Sequence, residues 1–196
     1  RVKWINDLKN PATGNYLPHL LAVDPTLHWA NTPGGDTGRD MRPSFTETPD
    51  PYTGPVPIVT HLHGGRTNQE SDGYAEAWYL PAAGNIPAGF ASTGSKYDTF
   101  KAQFQSQQDV TWQSGTSVFQ YANDQRATTL WYHDHTLGMT RLNVYAGPAG
   151  FYLLRGGPDD MVAGTLPGPA PALGDPPGLK YYEIPIAIQD RAFNAD

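Results

Sequence analysis

At 196 residues and 21.4 kDa the chain is long enough for one domain with a sizeable core, and too short for an enzyme assembled from several such units. A net charge of -6 without any Lys/Arg cluster excludes a general nucleic-acid binder, and the lack of cysteine excludes disulfides, thiolate metal ligands and a cysteine nucleophile within the chain. Its 21 Gly and 19 Pro make up about one residue in five, roughly twice the usual share, which favours short strands and ordered loops over long helices.

The opening RVKWINDL alternates Val2 and Trp4 with polar neighbours, the period of a half-buried strand. From Asn10 to Pro57 turn formers dominate, TPGGDTG at 32–38 among them, and an ordered excursion with little regular structure is expected. PIVTHLH at 57–63 reads as a strand opened by Pro and closed by Gly64 and Gly65. YDTFKAQFQS at 97–106 gives a weak alternation through Phe100, Ala102 and Phe104. TSVFQYAN at 116–123 and TTLWYHDH at 128–135 read as better strands, and NVYAGPAGFYLLR at 143–155 as a short helix or turn leading into a strand from Gly150. The apolar run 143–154 contains Pro148 and is too short to span a bilayer, so no membrane partner is expected. Residues 156–178 repeat Gly and Pro in the manner of a linker, and KYYEIPIAIQD at 180–190 reads as a final strand.

Four of the six histidines fall in two identical spacings, His61-Leu62-His63 and His133-Asp134-His135. On a strand, residues i and i+2 share a face with Cα atoms about 6.6 Å apart, so two imidazoles can close on one metal or stand over two neighbouring metals. With metal–nitrogen distances near 2 Å, two such motifs facing each other can surround a metal cluster. Imidazole suits Cu, Zn, Fe and Ni, and ligand type alone does not choose among them. A mononuclear four-histidine zinc site is one alternative. A cupin is another, but Glu70 lies too far beyond His63 for that pattern and a second HxH stands in place of a single late histidine. His19 and His28, in the irregular region, read as surface or packed residues.

HLHGG at 61–65, SDGYAEAW at 71–78, LWYHDHTLGMTRLNVYAGPAGFYLLR at 130–155 and IPIAIQDRAFN at 184–194 resemble the first domain of bacterial multicopper oxidases, the group of spore-coat laccases, bilirubin oxidases and phenoxazinone synthase. The resemblance implies an all-β fold, a cupredoxin-like Greek-key β-sandwich or barrel with long irregular loops. Residues 1–155 would form that domain without its first strands, 156–179 a Gly/Pro-rich linker or surface loop, and 180–196 a final strand and the start of the connection to a next domain. It also implies oxidation of phenolic, pigment or metal-ion donors coupled to four-electron reduction of O2 to water. His61 would ligate a type 2 copper, His63 and His133 one copper of a type 3 pair, and His135 the other. Asp72, in SDG, is similar to the acidic residue of the family near the type 2 copper solvent path and would relay protons; otherwise it forms a turn before Gly73.

With no cysteine and no third HxH, the type 1 copper site and the remaining cluster ligands are absent from the chain. The chain is therefore read as a fragment, or one chain of a split enzyme, inactive alone. Its expected partners are N-terminal strands and a Cys/His-bearing C-terminal domain of the same enzyme, together with O2 and a small reducing substrate. The resemblance favours an extracellular, periplasmic or spore-coat location. The alternative function is a non-enzymatic copper- or zinc-binding β-domain.

Around the motifs, Asp134 faces away from its flanking histidines on a regular strand and reads as structural, and Arg141 and Asn143 as ties to neighbouring backbone. Trp78, Trp131 and Tyr132 read as packing around the cluster, and Gly64 and Gly65 as giving close backbone approach beneath the metals.

Overall fold

The computed structural model describes residues 1–162, 164–166, 172, 174–180 and 182–192. Five short strands and three helices follow one another as β1 (Val2–Ile5), α1 (Gly35–Gly38), β2 (Thr60–His63), α2 (Tyr97–Gln108), β3 (Thr116–Phe119), β4 (Thr128–Asp134), α3 (Thr140–Ala146) and β5 (Ala149–Leu154). Two open antiparallel sheets result, a two-stranded β1-β3 and a three-stranded β2-β4-β5. No described helix is long and apolar enough to cross a membrane.

This mixed α/β architecture corrects the expected all-β sandwich or barrel: neither small sheet closes, and the longest element is α2. In the 97–106 segment the alternation runs through Ala102, which is exposed. The buried positions are Tyr97, Phe100 and Phe104, spaced three and four apart, which is the stripe of a helix. Asp98 sits in the first turn of α2, where a carboxylate meets the positive end of the helix dipole. The helix stops at Asp109, whose left-handed backbone (φ 53°) lets its N–H return to the Gln105 carbonyl at 2.9 Å.

The apolar stripe of α2 builds an aromatic core. Trp112 lies 5.3 Å from Tyr97, 5.9 Å from Phe104 and 5.6 Å from Phe119, ring centre to ring centre, so helix, loop and β3 share one buried indole. Val59 and Leu62 are buried on or beside β2, as are Trp78 and Tyr79, and Tyr79 bridges to Ile58 through two backbone hydrogen bonds of 2.9 and 3.1 Å. The second end strand read from the sequence does not form: described residues of 180–190 carry no strand, and Ile184, Ile186 and Ile188 stand exposed. Pro185 has no N–H to offer a ladder there. Tyr181 of that strand, parts of the expected linker (163, 167–171, 173) and 193–196 lie outside the described residues.

The junction that fixes the three-stranded sheet against its surroundings is polar. Asp134, 3% exposed at the end of β4, accepts hydrogen bonds from the Val59 amide (3.1 Å), the Thr136 amide (2.9 Å), the Thr136 hydroxyl (2.8 Å) and Asn143 Nδ2 (2.9 Å). Asn143 Nδ2 also donates to the Pro57 carbonyl at 3.0 Å, and His19 Nε2 donates to Asn143 Oδ1 at 2.8 Å. Burial pushes the Asp134 carboxyl up to about 6 while every one of these donors pulls it down, so it is ionised at neutral pH.

Removing the carboxylate leaves the buried amides of Val59 and Thr136 without an acceptor, each costing about 1–3 kcal/mol, and takes one of two acceptors from Asn143 Nδ2. Asp134→Ala is therefore expected to lose about 3–5 kcal/mol in urea unfolding at pH 7. A loss below about 1 kcal/mol would show that water replaces the carboxylate at no cost.

Candidate metal centre

The antiparallel register of β2 and β4 sets His61 opposite His133 and His63 opposite Trp131. The ladder continues one step further, since the His135 amide donates to the Val59 carbonyl at 2.8 Å. Side chains alternate along a strand, so His61 and His63 share a sheet face with Trp131, His133 and His135, while Leu62, Tyr132 and Asp134 take the other.

The four rings stand together. The His61 ring centre lies 5.7 Å from that of His63, 5.5 Å from His133 and 5.1 Å from His135. His133 lies 5.3 Å from His63 and 5.9 Å from His135. One nitrogen from each of His61, His63 and His133 falls within a span of 4.8 Å. Exposure is graded across the group, from His133 at 7% through the half-buried His61 and His135 to the exposed His63.

Hydrogen bonding prepares the nitrogens. His61 Nδ1–H donates to the Asp72 main-chain carbonyl at 2.6 Å and His133 Nδ1–H to the Asp134 carbonyl at 2.7 Å, which leaves an Nε2 lone pair on each ring. His133 Nε2 stands 3.1 Å from His63 Nδ1. Two nitrogens on one tetrahedral ion at about 2 Å from it are about 3.4 Å apart, so this pair sits close to chelating distance. His135 Nδ1 is buried without a hydrogen-bond partner, a state that a ligand relieves. The donor set therefore fits an ion that takes imidazole nitrogen, copper or zinc foremost, and with no cysteine in the chain no type 1 copper site can be built from it alone.

Desolvation lowers the pKa of both His133 and His135. For His133 the bond to the Asp134 carbonyl opposes the shift, and repulsion from His61 and His63 adds to it; for His135 repulsion comes from His61 and His133, against the attraction of Asp72 and Glu76. Both rings stay neutral, and able to ligate, to a pH below the usual 6.5.

Asp72 closes a short 3₁₀ turn over Gln69–Ser71. Its carboxylate accepts from the Thr67 hydroxyl at 2.8 Å, lies 3.5 Å from His61 Nδ1 and is 39% exposed. The sequence drew attention to this side chain, yet it is the main-chain carbonyl that holds His61. The residue that makes this possible is Gly73: with φ at +79°, a Cβ there would lie 2.0 Å from the Thr60 carbonyl oxygen. Only glycine lets the loop press onto β2 so closely, and the SDG triplet carried that signal.

Other assignments shift. Gly64 and Gly65 make room for Leu130 and Leu62, on the side of the strand away from the histidines, rather than beneath a metal. Trp78 is fully buried and donates to Asp40 at 2.7 Å, and Tyr132 packs on Trp4 with ring centres 5.0 Å apart, so neither touches the rings. Trp131 does, at 4.3 Å from His133 and 5.2 Å from His63. Asn143 ties backbone as expected, whereas Arg141 stays at the surface. His28 is a packed residue bonded to the Asp40 carbonyl at 2.9 Å.

Because the pKa of His133 and His135 is depressed in the fold, their neutral forms contribute stability above pH 6.5 that is lost as pH falls through the folded values. In NMR titrations of the metal-free chain their Cε1–H signals are expected to titrate below 6.5, and His61→Asn to raise both midpoints by removing a repelling ring. Midpoints unmoved by His61→Asn would show that the rings do not sense one another.

No family model matches the chain. It is 35% identical over 196 residues to a laccase of Bacillus stratosphericus and 33% identical over 195 residues to a laccase of Bacillus subtilis (strain 168), in each case across 100% of the chain and 26% of the relative. It is 33% identical over 184 residues to the multicopper oxidase LPR1 of Arabidopsis thaliana, covering 93% of the chain and 22% of that protein. The chain thus spans about a quarter of the length of the curated relatives it matches. Over at least nine-tenths of its length it is a distant homologue of multicopper oxidases, laccases among them.

Proposed function

We propose that the chain contributes four imidazole ligands to a trinuclear copper cluster in a multicopper oxidase. That enzyme couples one-electron oxidation of a phenolic, pigment or metal-ion donor to four-electron reduction of O2 to water. The observation that carries this reading is the meeting of both HxH motifs on one face of the β2–β4 pair, with nitrogens of His61, His63 and His133 inside 4.8 Å. Homology to laccases along the whole chain supports copper over zinc.

In this reading His61 presents Nε2 to a type 2 copper, its ring fixed by the Asp72 carbonyl. His63 and His133, with Nδ1 and Nε2 3.1 Å apart, would hold one type 3 copper, and His135 would serve the other. Bound copper supplies the one-electron redox chemistry. The remaining ligands, and the cysteine-bearing type 1 site through which the donor's electrons enter, come from elsewhere in the enzyme. The carboxylate of Asp72, reached by solvent and 3.5 Å from His61 Nδ1, would take up protons from water and relay them toward the site, with the Thr67 hydroxyl fixing its orientation.

A second reading is metal binding without catalysis, favoured by the same three nitrogens, since three imidazoles are already a ligand set that zinc accepts. Copper per chain and oxygen uptake with a phenolic donor, measured with and without a Cys-bearing remainder of the enzyme, separate the two. The chain alone is expected to bind copper but show no turnover, and the remainder to restore it. Steady turnover by the chain alone would overturn the reading of a cluster shared with the rest of the enzyme, and bound copper with no restoration would overturn the oxidase reading. In the complete enzyme Asp72→Asn is expected to slow oxygen reduction by about 10²-fold or more at unchanged copper content, with the deficit growing as pH rises. Equal turnover across pH would leave Asp72 only its turn.

A further inference from the structure

The exposed histidine of the cluster, His63, has no main-chain anchor among the described residues. His61 and His133 are each fixed by a main-chain carbonyl, whereas the polar contact of His63 among the described residues is with His133 itself. An imidazole at the surface with no such anchor samples several rotamers, and a metal must then select one. Yet His63 stands directly across the ladder from Trp131, and their rings lie 5.2 Å apart at 35°. The same indole lies 4.3 Å from the His133 ring at 34°, two residues along its own strand face. Trp131 is 39% exposed, so it is not placed there by the needs of the core.

We propose that Trp131 is a positioning residue for His63 and His133: its indole, in contact with both rings, holds His63 at chelating separation from His133. The inference rests on the metal-binding reading above, and concerns how the site is preorganised. A flat aromatic surface suits this task, since it limits ring tilt while leaving every nitrogen free for a ligand. A hydrogen-bonding partner would instead occupy a nitrogen of His63.

The test uses the 196-residue chain with Zn²⁺ as a redox-silent probe, comparing wild type with Trp131→Leu, Trp131→Phe and the control Phe151→Leu. Phe151 is the cross-strand neighbour of Trp131 on the other side of β4 and is similarly exposed, at 36%. In the metal-free chain, χ1 couplings and ring-current shifts of His63 and His133 report orientation directly. Calorimetry reports the Zn²⁺ dissociation constant, and thermal unfolding reports the fold. Trp131→Leu is expected to average the χ1 values of His63, to shift the ring-current-sensitive signals of His133, and to weaken Zn²⁺ roughly tenfold. Trp131→Phe should restore most of the affinity, and Phe151→Leu should change neither readout. Fixed χ1 values in Trp131→Leu, or averaged values with unchanged affinity, would overturn the proposal. Ordered imidazoles in a wild-type chain that takes up no Zn²⁺ would instead remove the metal-binding reading, and this role of Trp131 with it.

Discussion

The hydrogen bonds that converge on the Asp134 carboxylate join segments that lie far apart in the chain: the Val59 amide at the start of β2, the Thr136 turn after β4, and Asn143 on α3. Each of these contacts bears on where a histidine stands. Val59 and Asp134 fix the offset between β2 and β4, and that offset sets His61 opposite His133. A buried charge is normally a cost, and here it is tolerated because every contact it makes is with a donor. The face of the sheet that carries the rings thus depends on a polar knot on the opposite face.

The rings themselves lie on a gradient of solvation. His133, with its 7% exposure, is desolvated and held neutral, whereas His63 looks outward beside Trp131 and Phe151, which are exposed aromatic surface. Apolar rings and imidazole nitrogens therefore lie side by side on this face of the sheet.

What the sequence disclosed was the part governed by short-range rules. The i, i+2 spacing of His61/His63 and of His133/His135 fixes their facing once a strand is granted, and the same rule turns Asp134 away. The longer helix escaped because two periods compete in YDTFKAQFQS, and only burial of Tyr97 and exposure of Ala102 decide between them. The expected strand over Ile184, Ile186 and Ile188 has the right alternation but pairs with no strand among the described residues, and alternation alone does not supply a partner. Trp131 reads as packing because aromatic residues at strand ends ordinarily pack in cores, and its tilted contact with two histidines follows from a register between strands that no local pattern encodes. The carbonyl of Asp72 was likewise hidden behind its own carboxylate: main-chain groups are present at every residue, so only the close approach at Gly73 singles this one out.

The alternation along β2 and β4 makes the ligand set a matter of parity. Adding or deleting one residue within Thr60–His63 or Thr128–Asp134 would not displace the rings slightly; it would send them to the far side of the sheet and bring Leu62 or Asp134 to the front. Length changes in the surface loops between the two strands carry no such penalty, because a loop transmits distance but not parity. Two tripeptides of fixed parity, on strands that happen to be neighbours, can therefore keep one chemical face while the intervening chain drifts widely in length.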